Sequence, residues 1–421
     1  MTAMAAEPAA NRGYGIWLFA YLAFFVALSF VKAPAVLTDP RFWAEDGAFY
    51  FKDFRALDAW GALLYVTNGN YQFLTNVLVY LATKVPLVHA PAVTTYGAYL
   101  VEALVVVLIH AVVVSYGVNR LAGLLLVAAW TLMPASYETW ASATNVQWIC
   151  SVSMLLVLVL PSGTIERHFA RTIVWTAICG LTGVTSCMLA PGYLARACIE
   201  RSRHFALLGT LLVLCAALQL AVLMRYGVTD RSFAMDPRIL TLPTLLQTIL
   251  VPLFGVEWIG TLSAPLRDGA RALSALVYLG GLSLMLFAVL VAQRARPTAV
   301  ILIVAGLWAL VSLINTFGAL GPPLELMSGK GSARYFLFGA MCFCLLLSIG
   351  TAAGSRLQSV IAAVLLLTIA GRSIAQIGER WTIEHIEGPS WKRELAKCAA
   401  AAPCEIAIWP NGWSVQLQSA R

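Results

Sequence analysis

The sequence predicts an all-α polytopic membrane protein with about eleven transmembrane helices, and three observations predict it. Of its 421 residues, 60% are hydrophobic and only 11% charged, where a soluble chain carries roughly 25% charged residues. Mean hydropathy is +0.81. The apolar residues gather into runs of about 20, the length a helix needs to cross a hydrocarbon core of about 30 Å. A formal net charge of +8 does not point to nucleic acid, because Lys and Arg stand in ones and twos between apolar runs rather than in a basic stripe.

The first span covers 15–36. It is too long for a signal-peptide core of about 7 to 15 residues, although Ala33-Pro34-Ala35 mimics a cleavage site, so it reads as a retained span. The segment 37–90 forms a first outer loop holding Phe42, Trp43, Phe49, Tyr50, Phe51, Phe54, Trp60, Tyr65, Tyr71 and Phe73. Amphipathic rings settle at the headgroup level, which predicts juxtamembrane helices lying along the outer leaflet. Clear spans follow near 91–118, 204–225, 270–292, 298–319, 332–351 and 357–376. Shorter apolar segments, 121–134, 146–161, 171–187 and a Pro/Gly-interrupted 188–200, complete a count of eleven. Counting 69–88 as a crossing in place of 188–200 is the alternative, and 239–258 reads as an interfacial or re-entrant helix. This divides the chain into a transmembrane catalytic domain, 1–376, and a small extracytoplasmic C-terminal cap, 377–421.

Orientation follows from the basic residues. Arg12, Arg120, Arg167, Arg171, Arg201, Arg203, Arg294, Arg296 and Arg356 fall on one side when crossings are counted from a cytoplasmic N-terminus. Glu45, Asp46, Glu138, Lys330 and Arg334 then share the outer face with the tail. Seven of the nine cysteines lie in or beside apolar spans, where a thiol behaves as a small hydrophobe. Cys398 and Cys404 stand in the polar tail and would close a small disulfide loop in an oxidising compartment.

Glu45 and Asp46 are the leading catalytic candidates. Adjacent carboxylates on a helix point about 100 degrees apart, so one can accept a proton while the other holds a helix or a divalent cation. The plainer reading is that Asp46 favours a helix N-terminus and Arg41 pairs with Glu45. Lys330, Arg334 and Tyr335 precede the tenth span on the same face. Lys as a point charge and Arg as a bidentate fork suit a phosphate, whereas two snorkelling charges would seek lipid headgroups. Glu138, Asn145 and Gln147, set among aromatic rings between the third and fourth spans, are substrate-binding candidates, since sugar sites combine amides and carboxylates with rings; helix capping and interface anchoring are the alternative. The five histidines share no ligand spacing and no Cys/His pattern fits zinc. No phosphate-cradling glycine loop is present, so an activated donor must supply the energy.

An N-terminal span, an outer loop with Glu45-Asp46-Gly47-Ala48-Phe49-Tyr50, interfacial helices, many further spans and a late outer-face Arg334-Tyr335 together resemble the GT-C glycosyltransferases, integral membrane enzymes that use polyprenyl-phosphate sugars. In that family the first outer loop carries a catalytic or donor-binding acid, often in an acidic pair followed by an aromatic residue. Several members read Asp-Glu or Asp-Asp where this chain reads Glu-Asp, which leaves open which carboxylate is the base. The tail is far smaller than the soluble domains of oligosaccharyltransferases, so a glycan or lipid acceptor is favoured over a large protein.

The resemblance implies an inverting glycosyltransferase on the periplasmic face of a bacterial inner membrane. It would move a hexosyl or pentosyl unit from a polyprenyl-phosphate donor to an envelope glycan or lipid acceptor, among membrane lipids and without nucleic acid. A transporter or flippase for a lipid-linked or polar envelope precursor is the second reading. Such proteins place ionisable groups inside spans and often carry internal repeats, and here Glu102 alone is a well-embedded acid. A non-catalytic scaffold subunit is the third.

Overall fold

The computed structural model describes residues 12–136, 138–227, 233, 235–295, 299–319, 326–327, 333–353, 355–377, 389–398 and 403–417. Lys330 lies outside the described residues. Among the described residues, eight helices are long and apolar enough to cross a membrane, so the chain is a multi-pass helical membrane protein. Seven of them coincide with the clear spans of the sequence: α1 (Arg12–Lys32), α2 (Ala90–Tyr116), α7 (Arg203–Tyr226), α8 (Arg271–Ala295), α9 (Ala299–Phe317), α10 (Leu337–Gly350, entered by a 3-10 turn at Ala333–Phe336) and α11 (Arg356–Gln376). Between α2 and α7 run four shorter helices, α3 (Arg120–Leu132), α4 (Val146–Val159), α5 (Phe169–Thr182) and α6 (Ala190–Glu200).

Fourteen residues make only about 21 Å of helix, short of the hydrocarbon core. Protein encloses α4, where lipid would not tolerate its ends. Every residue of α4 from Trp148 to Val159 is buried, as is every residue of α10. These two helices form the axis around which the longer, lipid-exposed ones pack. The Phe73–Ala82 helix, within the 69–88 segment, has ten residues and packs partly into the cluster that joins the 42–54 loop to the C-terminal segment.

The eighth long helix, Pro237–Phe254, covers most of the segment predicted to be interfacial or re-entrant. Its contacts run along one end of the bundle. Thr241 meets Tyr278 in the first turns of α8 (2.7 Å), Thr244 meets Thr316 in the last turn of α9 (3.3 Å), and Arg372 near the end of α11 donates to the Phe254 carbonyl (2.6 Å). The chain then turns back through Val256–Arg267, and Arg238 donates to the Leu266 carbonyl. A helix whose two ends touch the same ends of its neighbours lies across the bundle, and its middle dips inward where the Trp308 indole donates to Thr248 (3.1 Å).

On that same end sits an extramembrane cap with an apolar core of its own. Phe42, Tyr50, Phe51 and Phe54 of the first outer loop pack with Trp391, Ile406, Ile408, Val415 and Leu417 of the C-terminal segment. The latter contributes the helix Trp391–Cys398 and a hairpin, β3 (Cys404–Ile408) against β4 (Trp413–Leu417), joined to the helix by the Cys398–Cys404 disulfide. Neither half is large enough to bury a core alone. Together they seal one.

Candidate active site

Loop and cap meet at the acidic pair. Ala44 N–H donates to the Trp409 carbonyl and Trp409 N–H to that of Phe42 (3.3 Å), so the chain entering Glu45 is held like a strand against the hairpin. Ala44 adopts φ +30°, a left-handed value that turns the chain abruptly into a π-helical turn at Asp46–Phe51. Such wide turns recur at functional sites. Gly47 is required by close approach, because a Cβ there would sit 2.7 Å from Val415 Cγ2 and 2.8 Å from Ile408 Cδ1.

The two carboxylates part company at this turn. Asp46 is buried, and its oxygens accept from Ala143 N (3.0 Å), Thr144 N (2.7 Å) and Thr144 Oγ1 (2.7 Å). Burial pushes its carboxyl up to about 7, against the pull of those hydrogen bonds, and the neighbouring Glu45 charge adds to the rise. Glu45 is half-buried and lines a cavity of about 400 Å³, within the usual range for small-ligand sites. Asp46 fastens a loop; Glu45 faces the space where a substrate fits.

Arg334 and Tyr335 line the same cavity, as do Asn145 and Gln147. Glu138 stands behind the arginine: Arg334 Nη1 donates to Glu138 Oε2 at 2.7 Å, and both side chains are largely shielded from solvent. Glu138 therefore orients the guanidinium, which the Tyr335 side chain also engages. Glu45 lies within electrostatic reach of Arg334. Asn145 donates to the Glu138 carbonyl (2.8 Å) and Gln147 accepts from Asn70 (3.4 Å). The structure thus brings Glu45, Arg334, Tyr335, Asn145 and Gln147 together around one space, with Asp46 and Glu138 directly behind it. Cys398 and Cys404 are bonded to each other in the cap, Cα atoms 5.5 Å apart. Among the described residues no cluster of three or more His, Cys, Asp or Glu side chains is placed to hold a metal ion.

The loop from Thr131 to Asn145 is secured by more than Asp46. Lys32, buried at the end of α1, donates to the Thr131 carbonyl (2.7 Å) and Ser136 Oγ (2.8 Å) and lies over the Trp140 ring. Glu102, buried in α2, accepts from Ala141 N at 2.8 Å. Three ionisable side chains from three separate elements converge on the loop that presents Glu138. Sequence reasoning missed Lys32 in this role, and it missed Tyr50, a cavity residue whose hydroxyl burial holds in the protonated form together with the nearby Asp46 and Glu45 charges. It also missed the hairpin β1 (Val66–Thr67) with β2 (Asn70–Tyr71), although Asn68-Gly69 between a Val and a Tyr is a turn signal.

The remaining wall is apolar. Leu220 and Leu223 of α7, Ile314 and Phe317 of α9, and Phe233 line it. Leu220 and Ile314 keep exposed apolar surface, so the cavity has an accessible apolar side between α7 and α9. In comparison with known proteins, no family model, no curated protein and no solved structure matches this chain.

Proposed function

We propose that the protein is an inverting glycosyltransferase that takes a sugar from a polyprenyl-phosphate donor at this cavity and passes it to an envelope glycan or lipid acceptor. The observation that carries the reading is one cavity with a carboxylate, a carboxylate-oriented arginine and an accessible apolar side. A lipid-phosphate sugar needs those three features: grease for the chain, a cation for the phosphate and a base for the incoming hydroxyl.

In this reading Glu45 takes the proton of an acceptor hydroxyl as that oxygen bonds to the anomeric carbon. The bond from that carbon to the phosphate oxygen breaks, and its electron pair leaves on polyprenyl phosphate. Arg334, aligned by Glu138, balances the charge that gathers there, with Tyr335 as a further phosphate contact. Fixed charge in a dry pocket stabilises a transition state more than mobile water does. Asp46 positions the loop and takes no proton from substrate.

Eleven crossings, α1 to α11, with the N-terminus in the cytoplasm, put the cavity on the periplasmic side of a bacterial inner membrane. Two features support this orientation. Each short connection at the far end carries arginine, namely Arg120, Arg167 with Arg171, Arg201 with Arg203, Arg294 and Arg356. The cap at the cavity end carries the disulfide, which belongs in an oxidising compartment.

Lys32 and Glu102, ionisable groups inside spans, are what a transporter reading would use. Both are engaged in fastening the Thr131–Asn145 loop, and neither lines the cavity. The two readings separate in proteoliposomes given radiolabelled polyprenyl-phosphate sugars. Transfer predicts release of polyprenyl phosphate with label on a new acceptor, abolished by Arg334→Ala. Transbilayer movement of intact donor without cleavage would favour the transporter.

A further inference from the structure

The sugar-transfer reading leaves the acceptor undefined, and the side of the cavity formed by the β1–β2 hairpin bears on it. Asn68 and Gly69 have φ of +47° and +64°, the signature of a two-residue type I′ turn, and the strands pair Val66 with Tyr71 and Thr67 with Asn70. So tight a turn leaves no slack. It sets Thr67, Asn68 and Asn70 side by side on the cavity wall.

The hairpin is anchored from behind. Gln219 of α7 donates to the Tyr71 carbonyl (2.9 Å), while Asn76 donates to the Leu63 and Tyr65 carbonyls (3.1 and 2.9 Å). Across from it, Gln147 accepts from Asn70, and its backbone carbonyl is held by Thr185 (3.1 Å). Each primary amide offers two donors and two acceptor lone pairs, so this single long contact leaves both side chains with capacity for a ligand.

Charge narrows the class. Among the described lining residues only Glu45 is acidic and only Arg334 basic, and the transfer reading assigns Arg334 to the donor phosphate. Among the described lining residues an anionic group at the hairpin would meet amides and hydroxyls and no cation besides Arg334, and burial penalises an anion without a partner. Phe49, which is 45% exposed, and Trp148 add aromatic surface to the lining, as the apolar side of a pyranose or furanose requires.

We propose that the β1–β2 hairpin with Gln147 is the acceptor subsite and that it takes an uncharged, polyhydroxylated sugar. The word acceptor rests on the transfer reading; the binding of a neutral saccharide does not. The test is saturation-transfer NMR on the full chain in nanodiscs, using methyl glycosides of neutral gluco-, galacto- and manno-configured disaccharides beside their uronic-acid counterparts. Decaprenyl phosphate binding is measured in parallel. At least one neutral disaccharide is expected to saturate the protein and to bind at least tenfold more tightly than its uronate. Asn70→Ala is expected to weaken it tenfold or more and to leave decaprenyl phosphate binding unchanged. Asn70→Asp, nearly isosteric and compatible with the turn, should do the same and guards against loss of fold in the alanine variant. If no neutral saccharide binds, if the uronates bind as well, or if both Asn70 variants bind like the parent, the subsite is wrong. Saccharide binding without any binding of decaprenyl phosphate would keep the subsite and remove the transfer reading.

Discussion

At the scale of single residues, Glu45 and Asp46 differ less in chemistry than in what surrounds them. Asp46 spends its lone pairs on three donors of the 143–144 segment, so an amide in its place must turn an NH₂ toward at least one of those donors. Asp46→Asn should therefore destabilise the protein by about 1–3 kcal/mol, read as a lower thermal midpoint in detergent. Its pH signature is specific. Because the folded state lifts the carboxyl from its ordinary value near 4 to about 7, that state holds the proton more tightly than the unfolded chain does. The stability linked to Asp46 is then fully present below about pH 4 and declines as pH rises to about 7. In Asp46→Asn that decline should vanish from the midpoint-against-pH curve; an unchanged slope would show that Asp46 is not the titrating group. Sequence alone does not separate the pair, because adjacent positions in one turn share every local signal. What separates them is a loop 97 residues away, and no periodicity reports it.

Among the elements, the hairpin β3–β4 and the first outer loop act as two halves of one clamp around Glu45. Gly47 is its tightest point. Gly47→Ala inserts a methyl between Val415, Ile408 and Phe42, an overpacking that costs about 1–3 kcal/mol and displaces the cap while the bundle stays inserted. Limited proteolysis should then cut the C-terminal segment faster than in the parent, and breaking the disulfide with Cys398→Ser should have the same effect. An equally resistant tail in both variants would mean that the cap is held by something else. The spans were legible in the sequence because lipid demands unbroken apolar runs, and the 239–258 segment stood out through its Pro, Gly and Gln content. The β1–β2 hairpin carried its Asn-Gly turn in plain view, but two-residue strands have no alternation to read. The burial of Lys32 had no local mark, since its partners, Thr131 and Ser136, lie about a hundred positions downstream.

For the whole molecule, the account requires one face for the cavity, the cap and the first outer loop, and the opposite face for the arginine-bearing connections. Single cysteines at Ala56 and His168, both exposed, test it in a Cys198→Ser background, Cys198 being the one exposed thiol among the free cysteines of the described residues. A membrane-impermeant maleimide should label Ala56→Cys and spare His168→Cys from the periplasmic side, with the pattern reversed in inverted vesicles. Labelling of both from one side would break the proposed topology. The central claim is that Glu45, working opposite Arg334, activates an acceptor toward a lipid-phosphate sugar. Its most direct test is the turnover of a polyprenyl-phosphate sugar by reconstituted parent and Glu45→Gln protein at saturating donor. A loss of about 10²- to 10⁴-fold in kcat, the usual effect of removing a positioned base, is the predicted result, with thermal midpoint and donor binding retained. Turnover by Glu45→Gln at the parent's rate would contradict it.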